Sequence, residues 1–327
     1  CERFDITPGG NFEGKSIPNL IGASDWEAEP DWVNTAREKL YDYRRERTKL
    51  STDDKVLTAW NGLMLAALAR AGLVFREPRY IEAGERAAAF MQEHMTDANG
   101  RLLARWREGD AAHAGKLDDY AFFAWGLMEL YAATFHVEYL ESAIRLADTL
   151  LESFFDETRG GFYPYSTEGE QLITRAKEVY DGTMPSGNAV AALVLSRLAR
   201  LTGEERFIRA KDLQFRYLSG AIRDYPAGHC FTLLALLEEL WPTAELICTA
   251  GELPGELFAF LRREPRLNLT VLVKIPESKQ KLAALAPFTV DYPIPASEAR
   301  YYLCRGGACQ SPVDSIEALE GQMGRMA

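Results

Sequence analysis

The stretch Tyr120–Phe155, YAFFAWGLMELYAATFHVEYLESAIRLADTLLESFF, holds two helices of opposite character joined by a short hinge at His136-Val137-Glu138. The first, YAFFAWGLMELYAATF, is apolar on nearly every side, and a helix of that kind is buried on every side. The second, VEYLESAIRLADTLLESFF, places Leu140, Ala143, Ile144, Ala147, Leu150, Leu151 and Phe154 on one stripe at helical spacing. A buried helix followed at once by an amphipathic one reads as an inner and an outer helix of a hairpin.

The same pair recurs along the chain. PRYIEAGERAAAFMQEHM (78–95) is a second amphipathic helix, and DWVNTAREKLYDYRRER (31–47) and EERFIRAKDLQFRYL (204–218) are weaker versions. VLTAWNGLMLAALARAG (56–72), NAVAALVLSRLARL (188–201) and HCFTLLALLEEL (229–240) are apolar all round. The order is outer then inner, four times, from about residue 31 to 241. The related starts Tyr80, Tyr139 and Phe207 lie 59 and 68 residues apart, longer than the usual solenoid repeats. The expected fold is mainly α: an (α/α)6-type toroid in which inner helices are wrapped by outer ones. Four of its usual hairpins are visible, and the remaining ones are expected upstream, since the chain opens at Cys1 without Met.

On this reading residues 1–30 are an irregular lead-in, 31–242 the toroid hairpins, and 243–327 a small α/β region. The last has short strands in AELICTA, LTVLVKI and ARYYLC, with a helix in GELFAFLRRE.

A net charge of −11 argues against nucleic acid or an anionic membrane as partner, because phosphate binding needs a basic face. No unbroken apolar run of membrane-spanning length is expected. The five cysteines are scattered, which makes a reducing, cytoplasmic setting the default. Cys304 and Cys309 form C-x4-C across a turn and could approach bonding distance, as a structural pair or as a redox or metal pair. The four histidines form no cluster, so no metal site and no cofactor is expected.

The connections are lopsided. Inner-to-outer loops are short, whereas outer-to-inner loops (96–118 and 156–185) are long, with hairpin-like runs expected around Asn99-Gly100 and Gly160-Gly161. Long loops therefore open at one end, where the inner helices start with STDDK, KLDDY, YDGTMPSGN and YPAGHC. That end gathers Asp53, Asp54, Asp118, Asp119, Tyr120, Tyr180, Asp181, Ser186, Asn188 and His229, with Trp60 and Asn61 further down one helix. Aromatic faces beside carboxylates and amides suit a sugar ring, and two carboxylates of differing pKa suit glycosidic cleavage. The plainer reading is helix capping, for which Asp and Ser are preferred and Ser51-x-x-Asp54 has the spacing.

GNFEGKSI (10–17), DDKVLTAWNGLM (53–64), LDDYAF (117–122), YDGTMPSGN (180–188) and YYLCRGGACQSPV (301–313) resemble the C-terminal two-thirds of the thioredoxin-domain-containing, spermatogenesis-associated protein family. The resemblance implies a toroid like that of the six-hairpin glycosidases and the N-acylglucosamine and cellobiose 2-epimerases. It also implies an upstream thioredoxin-like domain as partner. Hydrolases of this fold use acidic pairs, so Asp54 or Asp119 is the expected acid/base and Asp181 its partner. Trp60, Tyr120 and Tyr180 are the expected stacking walls, with Asn61 and Asn188 as hydrogen-bonding groups. The expected ligand is a small carbohydrate. Asp53, Asp118, Ser186 and His229 complete the expected binding set. One rival is a non-catalytic scaffold with Cys304 and Cys309 as a redox relay; another is a 2-epimerase, which needs a second base near His229. Asp119→Asn is expected to abolish turnover with little loss of stability.

Overall fold

The computed structural model describes residues 1–169, 175–241, 243–263 and 268–324. It forms two compact units, Cys1–Asp54 and Lys55–Ala327. The first unit is held by short-range polar bonds: Asn11 Nδ2 donates to Asp5 Oδ2 at 2.8 Å, and Ile17 N–H donates to Asn11 Oδ1 at 2.8 Å. It contains one α-helix, α1 (Asp31–Arg47), which buries none of its residues. The irregular part and α1 thus fall together, with the division at residue 54 rather than 30.

The second unit carries the hairpins: β1 (Val56–Leu57), α2 (Thr58–Phe75), α3 (Pro78–His94), β2 (Leu103–Arg107), β3 (Asp110–Ala114), α4 (Leu117–Thr134), α5 (Val137–Ser153), α6 (Gly187–Thr202), α7 (Glu205–Asp224) and α8 (Cys230–Leu240). Local chemistry sets the ends. Pro78 occupies the first turn of α3, where a missing N–H costs nothing. Ser186 caps α6, its Oγ accepting from Ala189 N–H, and Gly203 closes that helix at φ 69°. The inner helices pack side by side in the order α2, α4, α6, α8, and α3, α5 and α7 fold back on α2, α4 and α6. This is an arc of an α/α toroid.

The two middle inner helices meet the sequence expectation. Phe122, Leu127 and Leu130 of α4 and Val190, Val194 and Leu198 of α6 are wholly enclosed. The two end helices do not. On α2, Trp60 is 60% exposed and Phe75 68%; on α8, Leu240 is 73% exposed. Each leaves one side open and buries the sides turned to its packed neighbours. α2 also has 18 residues at mean hydropathy 1.3, enough by length and composition to cross a membrane. The expectation of no such segment rested on unbroken apolar runs, which Asn61 and Arg70 interrupt without lowering the average enough. Its packing between α3 and α4 is that of an inner helix.

The hairpin expected around Asn99-Gly100 is a single bridge, Thr96 with Leu102. The longer ladder, β2 on β3, turns at Glu108-Gly109, and β1 adds to its other edge with Val56 opposite Trp106. Among the described residues, the loop after α5 has one bridge, Phe155 with Phe162.

The chain ends in β4 (Ala244–Thr249), α9 (Gly255–Arg263), β5 (Leu269–Lys274), α10 (Lys279–Leu285), β6 (Arg300–Arg305), β7 (Ala308–Cys309) and α11 (Ile316–Gly324). The sheet order is β5-β4-β6-β7, with β4 and β5 parallel and the rest antiparallel. β4 is central, which is why Leu246, Ile247 and Cys248 are buried. Cys304 and Cys309 are direct partners across β6 and β7 and are disulfide-bonded. Cys1, Cys230 and Cys248 are free thiols.

Candidate functional site

Two of the acids at the helix starts, Asp119 and Asp181, accept from backbone N–H groups. Asp119 is buried; its Oδ1 accepts from Ala59 N–H of α2 at 2.9 Å and its Oδ2 from Lys116 N–H at 2.8 Å. Burial outweighs those two bonds and raises its pKa to about 6. Asp181 does the same at the next junction. Its Oδ1 accepts from Ser186 N–H and its Oδ2 from Phe231 N–H of α8, both at 2.8 Å. Asp119 thus joins the starts of α2 and α4, and Asp181 those of α6 and α8. Asp119 and Asp181, two of the three expected catalytic carboxylates, are thus engaged with backbone donors, which gives them a structural part.

Asp118, beside Asp119 on α4, turns the other way. It accepts from the N–H of Gly187 at the start of α6. A Cβ at Gly187 would lie 2.2 Å from Asp118 Oδ1, so only glycine admits this approach. Partial burial raises the Asp118 pKa, and the facing Glu178 carboxylate raises it further, against the pull of Lys116.

Glu178 comes from the extended segment 175–180, where exposure alternates along the chain. Lys177 and Val179 turn inward. The Lys177 ammonium donates to Asp156 at 2.7 Å and lies 4.7 Å from the Tyr163 ring centre. Glu178 and Tyr180 turn outward. Their backbone is fastened by residues expected to bind substrate: Asn188 Nδ2 donates to Glu178 O at 2.8 Å, and Ser186 Oγ donates to Val179 O at 3.2 Å. His229 Nδ1 lies 2.8 Å from Val179 O; a carbonyl only accepts, so this nitrogen carries the proton. Asn188 is fully enclosed and also pairs with the backbone of Phe162 in both directions. Asn188 and His229 are therefore positioning groups behind the surface.

Asp118, Glu178, Lys116, Tyr165, Tyr180 and Ser186 line a pocket of about 380 Å³. The Lys116 ammonium sits 5.4 Å from the Tyr165 ring centre. Tyr180 is 53% exposed, and its ring lies parallel to that of Tyr225 at 6.5 Å. Two carboxylates, one ammonium and two tyrosines thus share one recess.

The other expected residues lie elsewhere. Tyr120 is buried; its hydroxyl accepts from Leu102 N–H at 3.0 Å, so it is no stacking wall. Asn61 donates back to Leu57 O, just before its own helix, at 2.9 Å. Trp60 is exposed on α2 and does not line the recess. Asp53 and Asp54 end the first unit, and α2 starts only at Thr58 after Leu57, so the capping box of Ser51 and Asp54 does not form. Glu178, Lys116 and Tyr165 were missed because they sit in loops without periodicity. The sequence RAKEVY (175–180) gives no such signal, since the polar Arg175 and Lys177 are the less exposed positions and Ala176 is exposed. Among the described residues no group of three or more His, Cys, Asp and Glu is arranged to hold a metal ion.

Comparison with known proteins adds a family. Over 302 residues the chain is 30% identical to human spermatogenesis-associated protein 20, covering 88% of this chain and 38% of the relative. The chain is a homologue of spermatogenesis-associated protein 20. The mouse protein of that name is 37% identical over 183 residues, covering 53% of this chain and 23% of the relative. An uncharacterized protein of Caenorhabditis elegans is 26% identical over 303 residues, covering 88% and 40%. The chain thus spans about two-fifths of the human and nematode relatives, less than the two-thirds its motifs implied. No family model matches it. Among solved structures, the cellobiose 2-epimerase of Spirochaeta thermophila is similar at TM-score 0.42 and 20% identity, covering 51% of this chain and 44% of that one. A GH76 alpha-mannanase of Bacteroides thetaiotaomicron is similar at TM-score 0.43 and 16% identity, covering 53% and 47%.

Proposed function

We propose that the recess between α4, α6 and segment 175–186 binds a small carbohydrate and that Asp118 and Glu178 perform hydrolase-like acid/base chemistry on it. The observation that supports this is Asp118 itself: a mostly buried carboxyl of raised pKa that faces a second carboxylate in a pocket edged by tyrosines. In this reading Asp118 is the proton donor to the leaving glycosidic oxygen, and Glu178 is the charged partner that activates water or stabilises the cationic sugar. Tyr165 and Tyr180 offer ring faces, and the Lys116 ammonium offers donors to hydroxyls.

The test is to incubate the protein with mono- and disaccharides in D2O and follow the proton spectrum. New reducing ends are expected, with turnover falling about 100-fold or more in Asp118→Asn and Glu178→Gln. Exchange of the H2 proton without cleavage would instead mean epimerisation. Turnover unchanged in both variants would remove the proposed pair.

A second reading is a scaffold or redox partner for an upstream thioredoxin-like domain. It is favoured by the Cys304–Cys309 bond and by the Tyr292 hydroxyl, 3.3 Å from Cys309 Sγ and 3.7 Å from Cys304 Sγ. A bonded pair is also unusual for a reducing compartment. Thiol counting before and after mild reduction separates the two, since a pair that never forms in solution removes the relay.

A further inference from the structure

At the end of the inner helices remote from the recess lies a second charged assembly. Arg197 on α6 grips two carboxylates. It donates to Glu238 Oε1 at 2.7 Å and Oε2 at 2.9 Å, and to Glu129 Oε1 at 2.7 Å. Both glutamates are 4% exposed at the side chain, and Glu129 also accepts from Trp125 Nε1 at 3.0 Å. That trio joins α4, α6 and α8 and is well satisfied.

Three more guanidiniums stand around it. Arg70, Arg200 and Arg262 line a cavity of about 150 Å³ together with the trio. Arg70 reaches Glu129, and Arg200 reaches the Glu238 carboxylate, only at 3.6 Å, beyond hydrogen-bonding distance. One Arg200 nitrogen donates to the Glu238 carbonyl at 3.0 Å, but the Nε of Arg200 is buried without a hydrogen-bond partner. So is the Nε of Arg262 on α9. Glu239, the nearest further acid on α8, is held by Lys211 and Ser196. Glu245 on β4 acts on Arg200 electrostatically but does not line the cavity. The described lining therefore holds four cations against two anions. The remaining wall is largely apolar, including Leu73, Met128, Phe135, Leu261 and Val271.

A buried guanidinium donor without an acceptor is unfavourable. A carboxylate supplies two acceptor oxygens in the geometry guanidinium prefers. An apolar space of about 150 Å³ accommodates a ring the size of benzene. We propose that this cavity is a binding site for a small organic monocarboxylate with a short apolar body, separate from the recess at the other end. The carboxylate sits among the Arg70, Arg200 and Arg262 guanidiniums that line the cavity, and the apolar body faces the Leu and Phe side of the wall.

The test titrates the 327-residue chain by calorimetry at constant ionic strength. The probes are sodium benzoate and sodium hexanoate, with benzyl alcohol and sodium phosphate as comparisons. The expected result is saturable one-to-one binding of at least one carboxylate, tenfold or more tighter than either comparison. Binding is expected to weaken at least tenfold in Arg262→Gln and to stay unchanged in Glu178→Gln. Arg70→Gln, at a partly exposed position, provides the same readout if circular dichroism shows Arg262→Gln unfolded. No saturable binding of either carboxylate overturns the proposal. So does phosphate binding as tightly, or undiminished binding in a folded arginine variant.

Discussion

Two neighbouring aspartates, Asp118 and Asp119, show how little separates a structural carboxylate from a chemical one. Both sit in the first turn of α4. One reaches back to α2 and is closed off by two backbone donors; the other reaches α6, keeps one donor and faces the recess. Asp119→Ala leaves the N–H groups of Ala59 and Lys116 without acceptors, at about 1–3 kcal/mol for each buried one. The variant is expected to be less stable by at least about 2 kcal/mol in urea unfolding at pH 7. The expectation from the sequence, a catalytic position where Asp119→Asn costs little stability, predicts the opposite result.

The pH dependence of Asp119 has a definite sign. Its folded pKa, about 6, lies above its ordinary 3.8. The folded state thus holds this proton more tightly than the unfolded one. Its contribution therefore favours folding increasingly as pH falls from about 6 toward 4, by up to about 3 kcal/mol. Relative to Asp119→Asn, the wild type should gain stability over that window. For Asp118, carbon-13 carboxyl titration should give a midpoint above the ordinary value. Glu178→Gln should lower that midpoint without restoring it fully, because burial is the larger cause.

At the scale of elements, the α2–α4 crossing depends on two glycines. A Cβ on Gly126 would lie 2.7 Å from Gly62 O, and one on Gly62 would lie 2.6 Å from the Phe122 backbone. Gly126→Ala gains about 1 kcal/mol of helix propensity but forces apart two helices, which commonly costs about 1–3 kcal/mol or more. A net loss in melting temperature is expected. Gly220 on α7 has nothing within 4 Å of such an atom, so Gly220→Ala should stabilise by about 0.5–1 kcal/mol. The helices themselves were legible because apolar periodicity reports which faces avoid water. It does not report which neighbour covers them, so α2 and α8 read like α4 and α6 although each leaves a face open. The Asp pairs read as sugar-binding or catalytic acids or as caps of their own helices, and not as ties between helices, since partners such as Ala59 and Phe231 are distant in sequence. Glu178 has no periodic pattern around it, and its placement depends on bonds from Asn188, Ser186 and His229 that only the folded chain reveals.

Across the whole hairpin arc, charge ties the inner helices at their far end as Asp119 and Asp181 tie them near the recess. Arg197 is the common partner of Glu129 and Glu238. Burial alone would raise the Glu129 pKa, but Arg197 and Arg70 bring it below its ordinary value. That stability is present above the usual glutamate range and is lost as pH falls through it. Arg197→Met strands two buried carboxylates and is expected to cost about 3–5 kcal/mol in chemical unfolding at pH 7. Circular dichroism would show whether α4, α6 and α8 melt together.

The fastening of segment 178–186 has a kinetic consequence. Because Asn188, Ser186, Asp181 and His229 already hold that backbone, a guest entering the recess has little chain left to immobilise. Association should therefore be governed by encounter rather than by a slow folding step, with a small heat-capacity change and closely similar free and occupied backbones.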